Sequence, residues 1–368
     1  MMRAAMWKSV FLGAILNVLP TALLAANDSF IGSLNKNSFV ASTIPKNGDI
    51  NPYGVAVVPS TTGKLVKGDI LVSNFNNSKN QQGTGKTIVQ ISPRGEVKLF
   101  AEIEEKKLPG PCPGGVGLTT ALTVLRSGWV IVGSLPTSDG SSNTAQAGCL
   151  IVFNRHGKAV ETISGGDING PWDMTALDMD ESAVLFVTNV LNGTVAAAGQ
   201  TVSAGTVLRI VLALPDDHEK SATRESAQRE VIGFGFGERT DPNALVIGPT
   251  GLGLGSDGTL YVADTLSNRI AAIPNAAKRS GSAGIGTTVS QGININGPLG
   301  LAIAPNANIL VTNGNDGNIV ETMPSGMQVA VKNIDSTGTG AGTLFGLAVV
   351  PSGVYFVNDG DNTLNLLH

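Results

Sequence analysis

Apolar positions along this chain fall in short runs separated by Gly, Asn, Asp and Ser, the spacing of strands joined by tight turns. One stretch shows the unit most clearly. Gly248-Pro249-Thr250-Gly251-Leu252-Gly253-Leu254 reads as a first strand. Ser256-Asp257-Gly258-Thr259 reads as a turn, and Leu260-Tyr261-Val262-Ala263-Asp264 as a second strand, with Asn268-Arg269-Ile270 opening a third. Weaker copies lie in phase. Pro52-Tyr53-Gly54, Pro171-Trp172-Asp173, Pro298-Leu299-Gly300 and Leu344-Phe345-Gly346 each precede a β-branched or aromatic run that ends in Asn. The most degenerate copy has residues 113–117 as its lead-in and 129–134 as its second strand. Hairpin turns are signalled by Ser127-Gly128, Asp257-Gly258 and Ser352-Gly353.

Third strands are expected at residues 87–92, 150–154, 206–212, 268–273 and 318–323, and outer strands at 96–101, 158–163, 230–234 and 327–333. Four antiparallel strands repeated six times predict an all-β, six-bladed β-propeller. A linear solenoid would need capping repeats, and none is evident. The last unit ends at His368 after three strands, while residues 39–44 form a spare strand before the first unit. Adding that strand to the last blade closes the ring and removes an open edge.

The Pro-x-Gly lead-in, apolar strand, tight turn and second strand ending in Asp or Asn resemble the NHL repeat. The resemblance runs from Phe39 to His368 and is close only over residues 248–270. In such propellers the residue after the lead-in proline points toward the channel opening. That marks Tyr53, Trp172, Thr250 and Leu299, with Phe345 in the matching place, as candidate ligand-binding positions. Related calcium-dependent lactonases and phosphotriesterases carry Asn, Asp and Glu metal ligands there, and this chain departs from that pattern. Pro-Tyr-Gly and Pro-Trp-Asp are similar to the lead-ins of streptogramin lyase-like propellers, which rely on a His and paired Glu around a metal. His156, His218 and His368 all fall outside the lead-ins. The resemblance therefore implies no cofactor, with calcium as the alternative.

Asp173 stands where the repeat has Gly, so it is the candidate ionisable group among the aromatics, as an acid, a base or a cation-binding carboxylate. A local hydrogen bond capping the turn is its alternative role. Asn74, Ser134, Asn189, Asp264, Asn313 and Asn358 occupy equivalent strand ends and are expected to bond their own turns rather than ring a cation. The turns between second and third strands are short in blades 4 to 6. In blades 1 to 3 they are long, at 74–86, 134–148 and 189–205, either a lopsided binding wall or mobile decoration.

Composition narrows the partners. The chain has 368 residues, 47 of them Gly, with 14% charged residues and a net charge of −4. That balance lacks the basic patch that phosphate contacts require, so nucleic acid is not an expected partner. A small molecule, sugar, peptide or another protein remains, bound by a monomer. Arg3 and Lys8, an apolar stretch over residues 10–24, and Ala25-Ala26 before Asn27 have the layout of a signal peptide over 1–26. The mature part, 27–368, is then a periplasmic or secreted propeller with no membrane span. Export permits a bridge between Cys112 and Cys149, which would brace the loop over 134–148; two separate thiols are the alternative.

Overall fold

The computed structural model describes residues 29–179, 181–214, 228–335, 337–338 and 342–368. The leader expected at 1–26, His218 and most of the charged connector after Leu214 lie outside the described residues. Six antiparallel sheets are arranged as the blades of a propeller. From the innermost strand outward, blade 1 is Ile50–Val57, Ile70–Asn76, Thr87–Ile91 and Val97–Glu102. Blade 2 is Leu118–Val124, Val130–Ser134, Cys149–Phe153 and Ala159–Ser164. Blade 3 is Pro171–Asp178, Ser182–Asn189, Val202–Ala213 and Gln228–Asp241, with Leu245–Ile247 folded back as a fifth strand. Blade 4 is Pro249–Leu254, Leu260–Asp264, Arg269–Ile273 and Thr287–Gln291, and blade 5 is Pro298–Ile303, Ile309–Asn313, Asn318–Thr322 and Gln328–Asn333.

Blade 6 contains Leu344–Val350, Gly353–Asn358 and Thr363–Leu367, and its outer strand is Asn37–Ser42, which pairs from Asn37↔Leu367 to Ser42↔Thr363. The spare N-terminal strand thus closes the ring as the pattern predicts, starting two residues earlier. Among the described residues no helix is long and apolar enough to cross a membrane.

Second strands read as apolar runs because both their faces are covered by neighbouring blades. Ile70–Asn76, Val130–Ser134 and Leu260–Asp264 are buried throughout. The core is accordingly divided into layers between blades. Ile131, Leu150, Leu185 and Leu208 fill one layer between blades 2 and 3, and Phe186, Val207, Leu252 and Leu260 another between blades 3 and 4. Outer strands such as Gln328–Asn333 stay half exposed, which explains their weak sequence signal.

Three details differ from the sequence expectation. The outer strand of blade 4, Thr287–Gln291, carries Thr, Ser and Gln and offers no apolar alternation. The third and outer strands of blade 3 extend well beyond the expected 206–212 and 230–234, because Ser203 to Gly205 pair with Gly237 to Phe236 above the sheet. In blade 2 the inner strand opens at Leu118, which pairs with Ser134; residues 113–117 lead into it without being its equivalent of Pro-x-Gly.

Candidate functional site

Every inner strand shifts register at the equivalent place, just after its first residue in blades 2 to 6 and after Pro52, the third residue, in blade 1. The irregularity lies between Pro52 and Gly54, Pro171 and Met174, Pro249 and Leu252, Pro298 and Leu301, Leu344 and Leu347, and Leu118 and Leu122. Such a bulge re-aims one side chain and leaves backbone groups unpaired. In blades 1, 3 and 5 a hydroxyl on the second strand answers that need. Ser73 Oγ accepts from Gly54 N at 3.0 Å and donates to Thr119 O of blade 2 at 2.8 Å. Thr188 Oγ1 accepts from Asp173 N at 2.9 Å and donates to Thr250 O of blade 4 at 3.0 Å. Thr312 Oγ1 does the same between Gly300 N and Phe345 O of blade 6, at 3.0 and 2.8 Å. Gly133, Ala263 and Val357 hold that place in blades 2, 4 and 6, so the ring has a threefold alternation beneath its six blades.

The bulges bring Tyr53, Trp172, Thr250, Leu299 and Phe345 together at the base of one cup of about 840 Å3, on the side of the lead-ins and the turns after the second strands. The aromatics plug the channel there. Tyr53 is sandwiched between Phe345 and Phe75, with ring centroids at 3.9 and 4.4 Å, and Trp172 meets Tyr53 edge-on at 5.9 Å. With both faces of Tyr53 occupied, these rings form a closed floor rather than a stacking platform. The cup wall is polar. It carries the carboxamides of Asn51, Asn76, Gln82 and Asn243, the Arg239–Asp241 ion pair at 2.9 Å, and Asp359. Burial pushes the Asp359 carboxyl up to about 7, and the nearby Asp335 and Asp361 add to the rise. Burial and the charge of Asp359 hold the Tyr53 hydroxyl well above its usual value.

Asp173 lies elsewhere. It lines a second chamber of about 300 Å3 on the opposite side of the floor, together with Val55, Leu122, Leu252, Leu301 and Leu347. The constriction between the two, bounded by Trp172, Thr250, Leu299 and Phe345, holds no water-sized space. Asp173 Oδ1 accepts from Met174 N at 2.7 Å and Oδ2 from Leu252 N at 3.2 Å, yet burial still pushes its carboxyl up to about 8. Adjacent residues of one bulged strand therefore serve two separate cavities, Trp172 the cup and Asp173 the chamber.

Of the long turns of blades 1 to 3, only that of blade 1 forms cup wall. Asn80 and Gln82 of the blade 1 turn reach the cup, and Gln82 Nε2 donates to Pro242 O and Asn243 O at 3.3 and 3.4 Å. The other wall is the Arg239–Ile247 hairpin of blade 3, which sequence reading missed. Its buried Leu245 takes a left-handed backbone, φ 62°, to join the core cluster of Phe75, Leu135, Trp172 and Val190. The turns of blades 2 and 3 contribute Leu135, Ala145 and Val190 to that cluster, beside the cup. Cys112 and Cys149 are bridged, with Cα atoms 5.1 Å apart, tying the blade 2 lead-in to its third strand.

The strand-end series forms no ring of ligands. Asn74 Nδ2 donates to Thr43 O, Asn189 Oδ1 accepts from Asn169 N, Asn313 Oδ1 accepts from Asn296 N, and Ser134 Oγ joins Gly115 O and Gly117 N. Each staples the segment arriving at its own blade. The expected bond to its own turn is made by Asn358, whose Oδ1 accepts from Gly360 N. Asp264 instead pairs with Arg269 at 2.8 Å. His156 sits in a hairpin turn, with its N–H on Asn154 Oδ1, and His368 meets Ser38; neither lines the cup. Among the described residues no group of three His, Cys, Asp or Glu side chains is placed to hold a metal ion.

Sequence reading missed Asp359, which it took as a turn residue, and Thr119 and Thr120, the blade 2 equivalents of the lead-in. Thr119 is fully buried under the blade 2 turn, while Thr120 lines the chamber.

No protein-family description matches the chain, and no curated protein does. Solved structures do match in fold. A catalytically inactive virginiamycin B lyase from Staphylococcus aureus with quinupristin is 15% identical, with a TM-score of 0.52, over 90% of this chain and 85% of that one. A gluconolactonase from Xanthomonas campestris is 12% identical, with a TM-score of 0.54, over 87% and 86%. A luciferin-regenerating enzyme is 10% identical, with a TM-score of 0.55, over 90% and 94%. At these identities the likeness is one of fold: a six-bladed propeller of the kind found in these enzymes.

Proposed function

We propose that this chain is an exported, NHL-type propeller that binds a small polar molecule, a sugar or a short peptide, as a monomer, in the cup above the aromatic floor. The observation that carries this reading is the cup itself. A volume of about 840 Å3 falls within the range of small-molecule sites, and a closed apolar floor under carboxamide walls suits a neutral ligand rich in hydrogen-bond groups. The Cys112–Cys149 bridge supports an oxidising compartment. Trp172 in the floor supplies the test. A saturable change in tryptophan fluorescence with glucose, a γ-lactone or a tripeptide, lost in Trp172→Phe, is expected; no saturable change with any of them refutes the reading.

A second reading, a hydrolase or lyase, draws on Asp359. A carboxyl that titrates near neutrality inside the cup suits a general acid or base, and the solved propellers of like fold are enzymes. Asp173, the acid singled out by the sequence, is cut off from the cup by the floor and would serve only chemistry in the chamber. Lactone hydrolysis followed with a pH indicator, with calcium, magnesium or EDTA, is expected to fall in Asp359→Asn under this reading. Turnover equal in the variant would rule it out.

A further inference from the structure

The second chamber has a chemistry unlike the cup and lies outside the reading above. At the inner end of each first strand, where the strands crowd the axis, four blades carry Gly54, Gly251, Gly300 and Gly346. A Cβ on Gly300 would lie 2.1 Å from Phe345 O, and one on Gly346 2.2 Å from Tyr53 O. Packing of neighbouring first strands thus calls for no side chain there. Blade 3 departs from this with Asp173, and a carboxylate in place of a glycine hydrogen is a costly choice at a buried site. The backbone bonds from Met174 and Leu252 use part of its capacity, since an ionised carboxylate offers about four acceptor positions.

Around it the lining mixes aliphatic side chains with the hydroxyls of Thr120, Thr123 and Thr175 and with strand backbone, so its exposed surface is mostly polar. Val57, Val124, Leu254 and Ile303 lie toward the outer ends of the first strands, and Thr120, Gly300 and Gly346 beside Asp173 at the inner end. Residues from all six first strands line the chamber, and among the described residues that line it Asp173 is the sole titratable or charged side chain. An anion would meet only negative charge there. A volume of about 300 Å3 takes roughly ten non-hydrogen atoms, at the ~30 Å3 that a water occupies.

The geometry points to a second binding site in this chamber, for a small alkylammonium ion that enters head-first, its charged group on Asp173 and its tail beside the half-buried Val57, Leu254 and Ile303 at the outer end. An ammonium supplies both the counter-charge and the N–H donors that the carboxylate lacks in this surrounding. Binding then requires the ionised carboxyl, so each complex formed below pH 8 releases the proton that burial holds on Asp173.

Calorimetric titration of the full chain with n-hexylammonium chloride from pH 5.5 to 8.5 tests this. The Kd is expected to tighten about tenfold per pH unit up to about pH 8 and then to level, while hexylammonium itself stays protonated throughout. 1-Hexanol is expected to bind at least tenfold more weakly and without a pH slope. Asp173→Asn should weaken hexylammonium at pH 8 by tenfold or more and abolish the slope. Leu254→Trp, which fills the half-buried outer end and leaves Asp173 in place, should also lose binding, and it serves if the first variant fails to fold. No binding by the native chain, affinity independent of pH, or affinity unchanged in both variants overturns the proposal.

Discussion

The floor of the cup and the chamber beneath it draw on neighbouring residues of five shared first strands, yet the two ends of the channel differ in almost every respect. The cup is wide, with carboxamides and charged groups on its walls and stacked rings as its floor; the chamber is narrow, lined by first-strand residues, and among the described residues bears one carboxyl. The difference comes from where each side chain originates. Cup walls are supplied by turns and by the blade 3 hairpin, which are free to be polar. Chamber walls are first-strand residues, whose Leu and Ile side chains pack into the layers between blades. Trp172 and its aromatic neighbours keep the two environments apart.

Removing that partition is the largest perturbation available. Trp172→Ala is expected to cost about 3–5 kcal/mol, as for buried aromatics generally, and to join the cavities. Urea unfolding measures the first effect. Hexylammonium that now competes with a cup ligand measures the second. Reduction of the Cys112–Cys149 bridge, or Cys149→Ser, should cost about 2–4 kcal/mol. The bridge braces blade 2 on the cup side, so cup ligands should weaken while the chamber keeps its affinity. Titrations of the reduced protein decide this.

The acids at the two ends sharpen the comparison through pH. Asp173 is raised to about 8 and Asp359 to about 7, both chiefly by burial, and Glu238, just before the blade 3 hairpin, to about 7 for the same reason. Each binds its proton more tightly folded than unfolded. Its stabilising contribution is full below pH ~4, declines as pH rises toward the folded pKa, and levels above it. Chemical unfolding is therefore expected to show stability falling between pH 5 and 8. Asp173→Asn should flatten that fall most, by up to a few kcal/mol at pH 8, because each tenfold gain in proton affinity on folding is worth ~1.4 kcal/mol. Asp359→Asn should flatten it less and only below pH 7, the smallest effect of the set, with cup binding losing its pH dependence near neutrality.

Much of the fold was legible because each second strand is enclosed by two blades and must be apolar along its length. Residues such as Leu260 to Ala263 announce themselves for that reason, and the ring could be closed by counting strands. The polar outer strand Thr287–Gln291 escaped notice because its faces meet solvent. For the site, the position after each lead-in proline named Tyr53, Trp172, Thr250 and Leu299, and the matching place in blade 6 named Phe345; the structure brings the five together. Asp359, the Arg239–Ile247 hairpin and the blade 2 residues Thr119 and Thr120 were not legible, since a turn residue's neighbours depend on which loops fold over it.

The sequence by itself determined the repeat, the number of blades, the closing strand and the residues that crowd the axis. Those properties follow from hydrophobic period and turn chemistry, which are local. Only the tertiary structure decided that the aromatics seal the channel and that Trp172 and Asp173 face opposite cavities. A bulge of one residue turns neighbouring side chains to different sides of the floor, and the packing of all six blades sets which cavity each one meets.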